Sequence, residues 1–117
     1  MNLTINSRIP SETSCIMEVE GEVDVYTSPQ LKQEIVDRAD AGTRHLIINL
    51  AKVEYLDSTG LGVLIGGLKR LREVEGNMAL VGPGMRILRI FEITGLDKIF
   101  DIYETEEQAA AKEGISL

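Results

Sequence analysis

The sequence predicts an α/β fold, a single domain of residues 1–117 with one mixed β-sheet and helices packed against it. Three observations predict it. Apolar residues recur with two periods, strict alternation in some segments and a 3.6-residue repeat in others. After two opening strands these segments alternate in type, the order in which crossover helices join parallel strands. The 117 residues are 44% hydrophobic but only 4% aromatic, enough for one core built from Leu, Ile, Val and Ala.

The elements follow in order. Leu3 to Ile9 alternates apolar and polar, as a half-buried strand does, and Pro10-Ser11-Glu12 signals a turn. Cys15 to Glu20 is a second strand; Gly21 interrupts it and Glu22-Val23 continues it. Ser28 caps a helix with Pro29 in its first turn; Leu31, Ile35, Val36 and Ala39 form the apolar face, and Gly42 ends it. His45 to Leu50 is nearly all apolar, which marks a central strand buried on both faces, and Val53 to Leu56 leads out of it. Asp57-Ser58-Thr59 opens a helix with Leu61, Leu64, Ile65, Leu68 and Leu71 on one face, closed by Gly76. Met78 to Val81 is a short buried strand and Gly82-Pro83-Gly84 breaks the chain. Ile87, Leu88, Ile90 and Phe91 line a third helix ended by Gly95. Ile99 to Tyr103 reads as an edge strand, and Thr105 to Lys112 as an alanine-rich helix with Glu106 and Glu107 at its positive end.

The charge balance narrows the function. A net charge of −7 repels phosphate backbones and anionic lipid, so neither nucleic acid nor membrane is an expected partner; a basic protein surface is. Met1-Asn2-Leu3-Thr4 shows no secretory signal, and the longest uncharged stretch, Ser58 to Leu68, is too short to span a bilayer, so the chain reads as cytoplasmic. With one cysteine, Cys15, and one histidine, His45, there is no intrachain disulfide and no zinc ligand set, and no cofactor is called for. Cys15 reads as a half-buried structural thiol.

The informative stretch is Tyr55-Leu56-Asp57-Ser58-Thr59-Gly60-Leu61-Gly62, which joins a buried strand to a glycine-rich helix. Unpaired N–H groups at a helix start favour an anion, and Gly60 and Gly62 keep side chains away from it, so Ser58 sits where a tetrahedral group has room. Read alone, Asp57-Ser58 is a helix cap, a role compatible with modification. Glycine inside a helix costs about 1 kcal/mol against alanine, and four stand here. Tight packing on the sheet explains Gly66 and Gly67; for Gly60 and Gly62, packing and partner access are both open.

Asp57-Ser58-Thr59-Gly60-Leu61-Gly62 resembles the D-S-[ST]-G-L-G signature of bacterial anti-sigma factor antagonists, which are STAS domains. Gly21-Glu22-Val23-Asp24 followed by Thr27 is similar to that family's G-E-[LV]-D segment, and the succession of elements matches over nearly the whole chain. The likeness is greatest to the stress-response antagonists, with the sporulation type close. The resemblance implies a STAS-type sheet and a partner switch. The unmodified antagonist binds an anti-sigma factor that is also a serine kinase, and a sigma factor is released. Phosphorylation of the serine matching Ser58 ends the complex, and a serine phosphatase restores it. Asp24 matches an aspartate that contributes to kinase contact, and the alternative for it is a solvated turn carboxylate. Asp57, Ser58, Thr59, Gly60 and Gly62 complete the implied contact surface; Thr59 matches a Ser/Thr position that is not the main acceptor.

Other classes fit less well. A serine hydrolase needs a base within reach of its nucleophile, but His45 starts the central strand and Ser58 lies beyond its other end, about 20 Å away over six strand residues. The G-x-S-x-G elbow is absent, so the chain reads as a regulator and not an enzyme. Weak nucleotide binding is the alternative at the same helix start, although Gly60-Leu61-Gly62 lacks the dinucleotide spacing and no G-K-[ST] occurs. A signalling scaffold is the other; the chain starts directly with the opening strands, which favours the free antagonist.

Overall fold

A computed structural model describes residues 2–117; Met1 lies outside the described residues. The elements are β1 (Leu3–Ser11), β2 (Ser14–Val23), α1 (Ser28–Asp40), β3 (His45–Leu56), α2 (Ser58–Arg72), β4 (Asn77–Val81), α3 (Met85–Thr94), β5 (Asp101–Tyr103) and α4 (Glu106–Glu113), with a 3₁₀ turn at Leu96–Lys98 before β5. The sheet runs in sequence order, β1-β2-β3-β4-β5; β1 is antiparallel to β2 and the other pairs are parallel.

Strand alternation divides the molecule into two layers. Met17, Val19, Leu46, Ile48, Leu50, Met78 and Leu80 face a core completed by α1, α2 and α3 through Leu31, Ile35, Leu64, Leu68, Ile87 and Phe91. Ile16, Ile47, Ala79 and Val81 face the other way, under Ala109 and Ala110 of α4. An ion pair and a hydrogen bond hold α4 down: Arg8 Nη2 donates to Glu106 Oε1 at 2.6 Å, and Asn49 Nδ2 donates to Glu106 Oε2 at 2.8 Å. Burial opposes ionisation of Glu106, but these two donors outweigh it and its pKa falls below the ordinary glutamate value.

Several expectations are corrected. β3 extends unbroken to Leu56, because Val53 and Leu56 stay buried and pair along β2 up to Val23↔Leu56. Pro10 lies inside β1; as an edge strand it tolerates a missing N–H, and the register shifts between Arg8 and Ser11. The residue flanking α1 is Thr27, not Ser28. α2 closes at Arg72, and the left-handed residue of its exit is Glu75, φ 63°. Gly76 is small for another reason: a Cβ there would strike the Arg44 backbone. β5 keeps only Asp101–Tyr103, with Ile99 in the preceding turn. Cys15 is fully buried in place of half-buried, and burial pushes its thiol pKa up.

Candidate functional site

β2, β3 and β4 are parallel, so the loops leading into α1, α2 and α3 all rise from one sheet edge. Two of those junctions carry the sequence motifs. Val23 pairs with Leu56, and Asp57 N–H donates to Val23 O at 3.1 Å, so Asp24 and Asp57 leave the edge side by side.

The first junction is closed upon itself. Asp24, only 4% exposed, accepts through Oδ1 from the backbone N–H groups of Tyr26 (2.8 Å) and Thr27 (2.9 Å). Thr27 Oγ1 accepts from Asp24 N–H at 2.9 Å and donates to Glu22 O at 2.7 Å. Asp24 Oδ2 is buried without a partner among the described residues. The reading of Asp24 as a solvated turn carboxylate is thereby corrected: it ties a four-residue turn whose tip carries Val25 and Tyr26 outward, 56% and 84% exposed. Gly21 serves the same corner. Its φ of 114° and the close approach of the Asn2 carbonyl both exclude a side chain.

The second junction is open. Asp57 caps α2 in an extended conformation, and its Oδ1 accepts from Gly60 N–H at 3.0 Å and from the Thr59 hydroxyl at 2.5 Å. The Thr59 hydroxyl, then the Gly60 N–H and smaller contributions from the Thr59 and Val25 N–H groups, lower the Asp57 pKa below the ordinary aspartate value, against slight desolvation. Ser58 is the first helical residue, exposed, and its hydroxyl makes no hydrogen bond among the described residues. One donor of this helix start, the Gly60 N–H, is therefore already taken by the chain's own carboxylate.

The four glycines of α2 sort differently from the expected pairs. Gly60 and Gly67 face the core. A Cβ at Gly60 would lie 2.5 Å from Leu56 Cδ1 and 2.7 Å from Val23 Cγ1, and one at Gly67 would lie 2.7 Å from Met78 Cε. A Cβ at Gly62 or Gly66, one turn apart, would meet nothing within 4 Å outside its own helix among the described residues. They open a groove of about 530 Å³ between α1 and α2, with Thr59 at one end and Lys32 and Arg70 along it.

The structure thus brings Asp24, Asp57, Ser58, Thr59, Gly60 and Gly62 to one edge and leaves His45 at the opposite end of β3. Tyr26 and Val25 were missed from the sequence. The available signal was an aromatic two residues after an aspartate, where the carboxylate binds its N–H and turns the side chain out.

Comparison with known proteins places the chain in a family and supports the fold. The family model described as STAS domain matches residues 1–109. An anti-sigma-B factor antagonist of Staphylococcus epidermidis is 41% identical over 107 residues, 92% of this chain and 98% of that protein. The crystal structure of an anti-sigma factor antagonist from Mycobacterium paratuberculosis superposes with a TM-score of 0.84 at 31% identity, covering 97% of this chain and 95% of that one. The Bacillus cell fate determinant SpoIIAA in its phosphorylated form shares the fold, with a TM-score of 0.75 at 22% identity over 93% of this chain and 98% of that one.

Proposed function

From the premise that the chain belongs to the STAS domain family, we propose that it is an anti-sigma factor antagonist that works by partner switching. In its unmodified form it binds an anti-sigma factor that is also a serine kinase, and a sigma factor is freed. Transfer of a phosphoryl group to Ser58 ends that complex, and a serine phosphatase reverses the change. The observation that carries this reading is the difference between two adjacent hydroxyls. Thr59 is held by Asp57, whereas Ser58 is exposed, and unbonded among the described residues, at the tip of a helix anchored by Leu64, Leu68 and Leu71.

The physical chemistry supports a block at the interface. A phosphate adds about −1.5 to −2 charges at neutral pH. The Gly60 N–H is already bonded to Asp57, so the new charge stands beside a carboxylate that holds one of the helix-start donors. A partner that fits the bare hydroxyl must then bury an uncompensated dianion, which costs several kcal/mol. The affinity for the anti-sigma factor falls by about two orders of magnitude or more on that ground. The fold of the antagonist hardly changes, since α2 is packed on the sheet along its length. Asp24 serves the same surface indirectly, by shaping the turn that presents Val25 and Tyr26.

Incubation with the cognate kinase and ATP tests the proposal. Mass spectrometry should place one phosphate on Ser58, and Ser58→Ala should remain unmodified and folded. Calorimetry should show the phosphorylated chain binding the anti-sigma factor at least about a hundredfold more weakly. A phosphate on Thr59, or equal affinities, would overturn it.

A further inference from the structure

The groove between α1 and α2 holds features that neither the core nor the partner switch explains. Gly67 is small because Met78 and Ile35 pack against it. Gly62 and Gly66 have no such reason, since a Cβ at either would meet nothing within 4 Å outside its own helix among the described residues. Glycine weakens a helix interior more than any residue except proline, so the fold alone does not call for these two. Ser28 gives a second, independent sign. It lines the groove, is only 6% exposed, and its hydroxyl makes no hydrogen bond among the described residues. A buried hydroxyl left unpaired is unfavourable, and a molecule seated in the groove would pair it.

The shape selects a slender occupant. α1 and α2 are crossovers between parallel strands, so they start at one sheet edge and run the same way. A Cβ at Gly67 would lie 3.0 Å from Ile35 Cγ2, which sets the two helices level at that point. Lys32 then stands about one turn nearer the helix starts, and Arg70 about one turn nearer the ends. Thr59 to Arg70 covers about 16 Å of α2. Spread over that length, a volume of about 530 Å³ leaves a cross-section of about 33 Å². A helix about 10–12 Å across needs more than twice that. An extended chain fits, and the volume lies in the range of small-molecule sites, about 300–1,000 Å³.

The lining selects its chemistry. The middle of the groove offers Ile35, Val36, Val63 and glycine backbone, whose polar groups are spent within the helices. An extended peptide carries a polar backbone group at every residue and finds no partner there, whereas a hydrocarbon needs none. Polar groups stand toward the helix starts. Lys32 is in no ion pair among the described residues, and the Ser28 hydroxyl is a donor without an acceptor. Arg70, at the other end, is engaged by Asp40 at 3.8 Å. None of the described lining residues is acidic, so the net charge of −7 acts on the groove from a distance and is screened over about 8 Å.

We infer that the α1–α2 groove binds a small amphipathic anion, a carboxylate with an unbranched apolar tail. Its head lies between Ser28 and Lys32 beside Gly62, and its tail runs over Gly66 toward Arg70. The Lys32 ammonium and the Ser28 hydroxyl donate to the carboxylate. The tail covers Val36 and Val63, and the two glycines keep the path open.

Calorimetry of the full chain with sodium decanoate, below the concentration at which it forms micelles, tests the site. Decanoate should bind saturably and one to one. Decan-1-ol, with the tail and no charge, and decyltrimethylammonium, with the charge reversed, should bind at least about tenfold more weakly. Acetate, a head without a tail, should show no binding at the same concentrations. Lys32→Glu should weaken decanoate binding by about tenfold or more, and Ser28→Ala by about three- to tenfold. Gly66→Leu should abolish it by filling the groove, with a melting temperature near or above native because its side chain enters open space. Lys112→Glu on α4, across the sheet, is the control and should bind within about twofold of the native chain. Decanoate that fails to saturate, or that binds Lys32→Glu and Gly66→Leu as it binds the native chain, would overturn the inference. Binding of ATP but not decanoate would overturn it in favour of a nucleotide. Anti-sigma affinity that falls in Gly66→Leu while decanoate stays silent would overturn it in favour of the protein partner. None of these outcomes removes the proposed function, which stands or falls on Ser58.

Discussion

The β2–α1 and β3–α2 junctions leave the same sheet edge, the first through the four-residue turn 24–27 and the second through Asp57 alone, and they use their polar groups in opposite ways. At the first, the carboxylate of Asp24 is buried and bonded to the backbone of its own turn. At the second, the carboxylate of Asp57 stays at the surface and the neighbouring Ser58 hydroxyl is unbonded among the described residues. The proposed switch draws on both. One junction supplies an edge whose tip presents apolar groups, and the other leaves the Ser58 hydroxyl exposed at the start of a helix anchored in the core.

The contrast can be broken most severely at Asp24. Asp24→Ala leaves the Tyr26 and Thr27 N–H groups without their acceptor and should cost about 1.5–3 kcal/mol in urea unfolding. Asp24→Asn keeps an oxygen for those donors and should recover most of that stability and of the anti-sigma affinity. Equal losses of affinity in both variants, with the Asn variant stable, would mean that the charge itself touches the partner.

Gly60 comes next. Gly60→Ala pushes a methyl against Leu56 and Val23. Overpacking costs about 1–3 kcal/mol and better helix propensity returns about 1, so a net loss of up to about 2 kcal/mol is expected by thermal or urea unfolding. A gain in stability would show that the two junctions are less tightly apposed than the register implies.

Asp57→Ala removes a cap and should cost about 1 kcal/mol. The pH dependence has a definite sign. Asp57 has a lowered folded-state pKa, so its contribution is present above the unfolded aspartate pKa of about 3.9 and disappears as pH falls through the folded value. The native and Asp57→Ala stability curves should therefore converge in acid, modestly, because the carboxylate is exposed and screened. Curves that stay parallel down to strong acid would assign the loss to something other than the ionised cap.

The smallest effects sharpen the comparison from the other side. Gly62→Ala meets nothing within 4 Å and should gain about 0.5–1 kcal/mol while weakening any partner seated in the α1–α2 groove. Ser58→Ala should change stability by less than about 0.5 kcal/mol while abolishing phosphorylation. A large destabilisation at Ser58 would mean that the hydroxyl has a structural role the observed bonding does not contain.

Much of this was legible in the residues. Apolar periodicity placed the five strands and four helices. Asp57-Ser58-Thr59 before Gly60 marked an open helix start, and Gly21-Glu22-Val23-Asp24 followed by Thr27 marked the junction that the structure places beside it. What stayed hidden is what depends on neighbours distant in sequence. Gly60 and Gly62 look alike in a helix, but only Gly60 meets Val23, thirty-seven positions earlier. Val53 to Leu56 looked like an exit from β3 because a bulged strand blurs its alternation, and pairing with β2 keeps it in the sheet.

The sequence by itself determined the order and period of the elements, the negative charge of the surface and the hydroxyl at the start of α2, since these follow from residue type and spacing. Only the tertiary structure decided which polar groups are free. Whether Asp24 is solvated or buried is set by how the parallel strands β2 and β3 align their loops at one edge. That alignment follows from hydrogen-bond register across the sheet, a relation between segments that no single segment encodes.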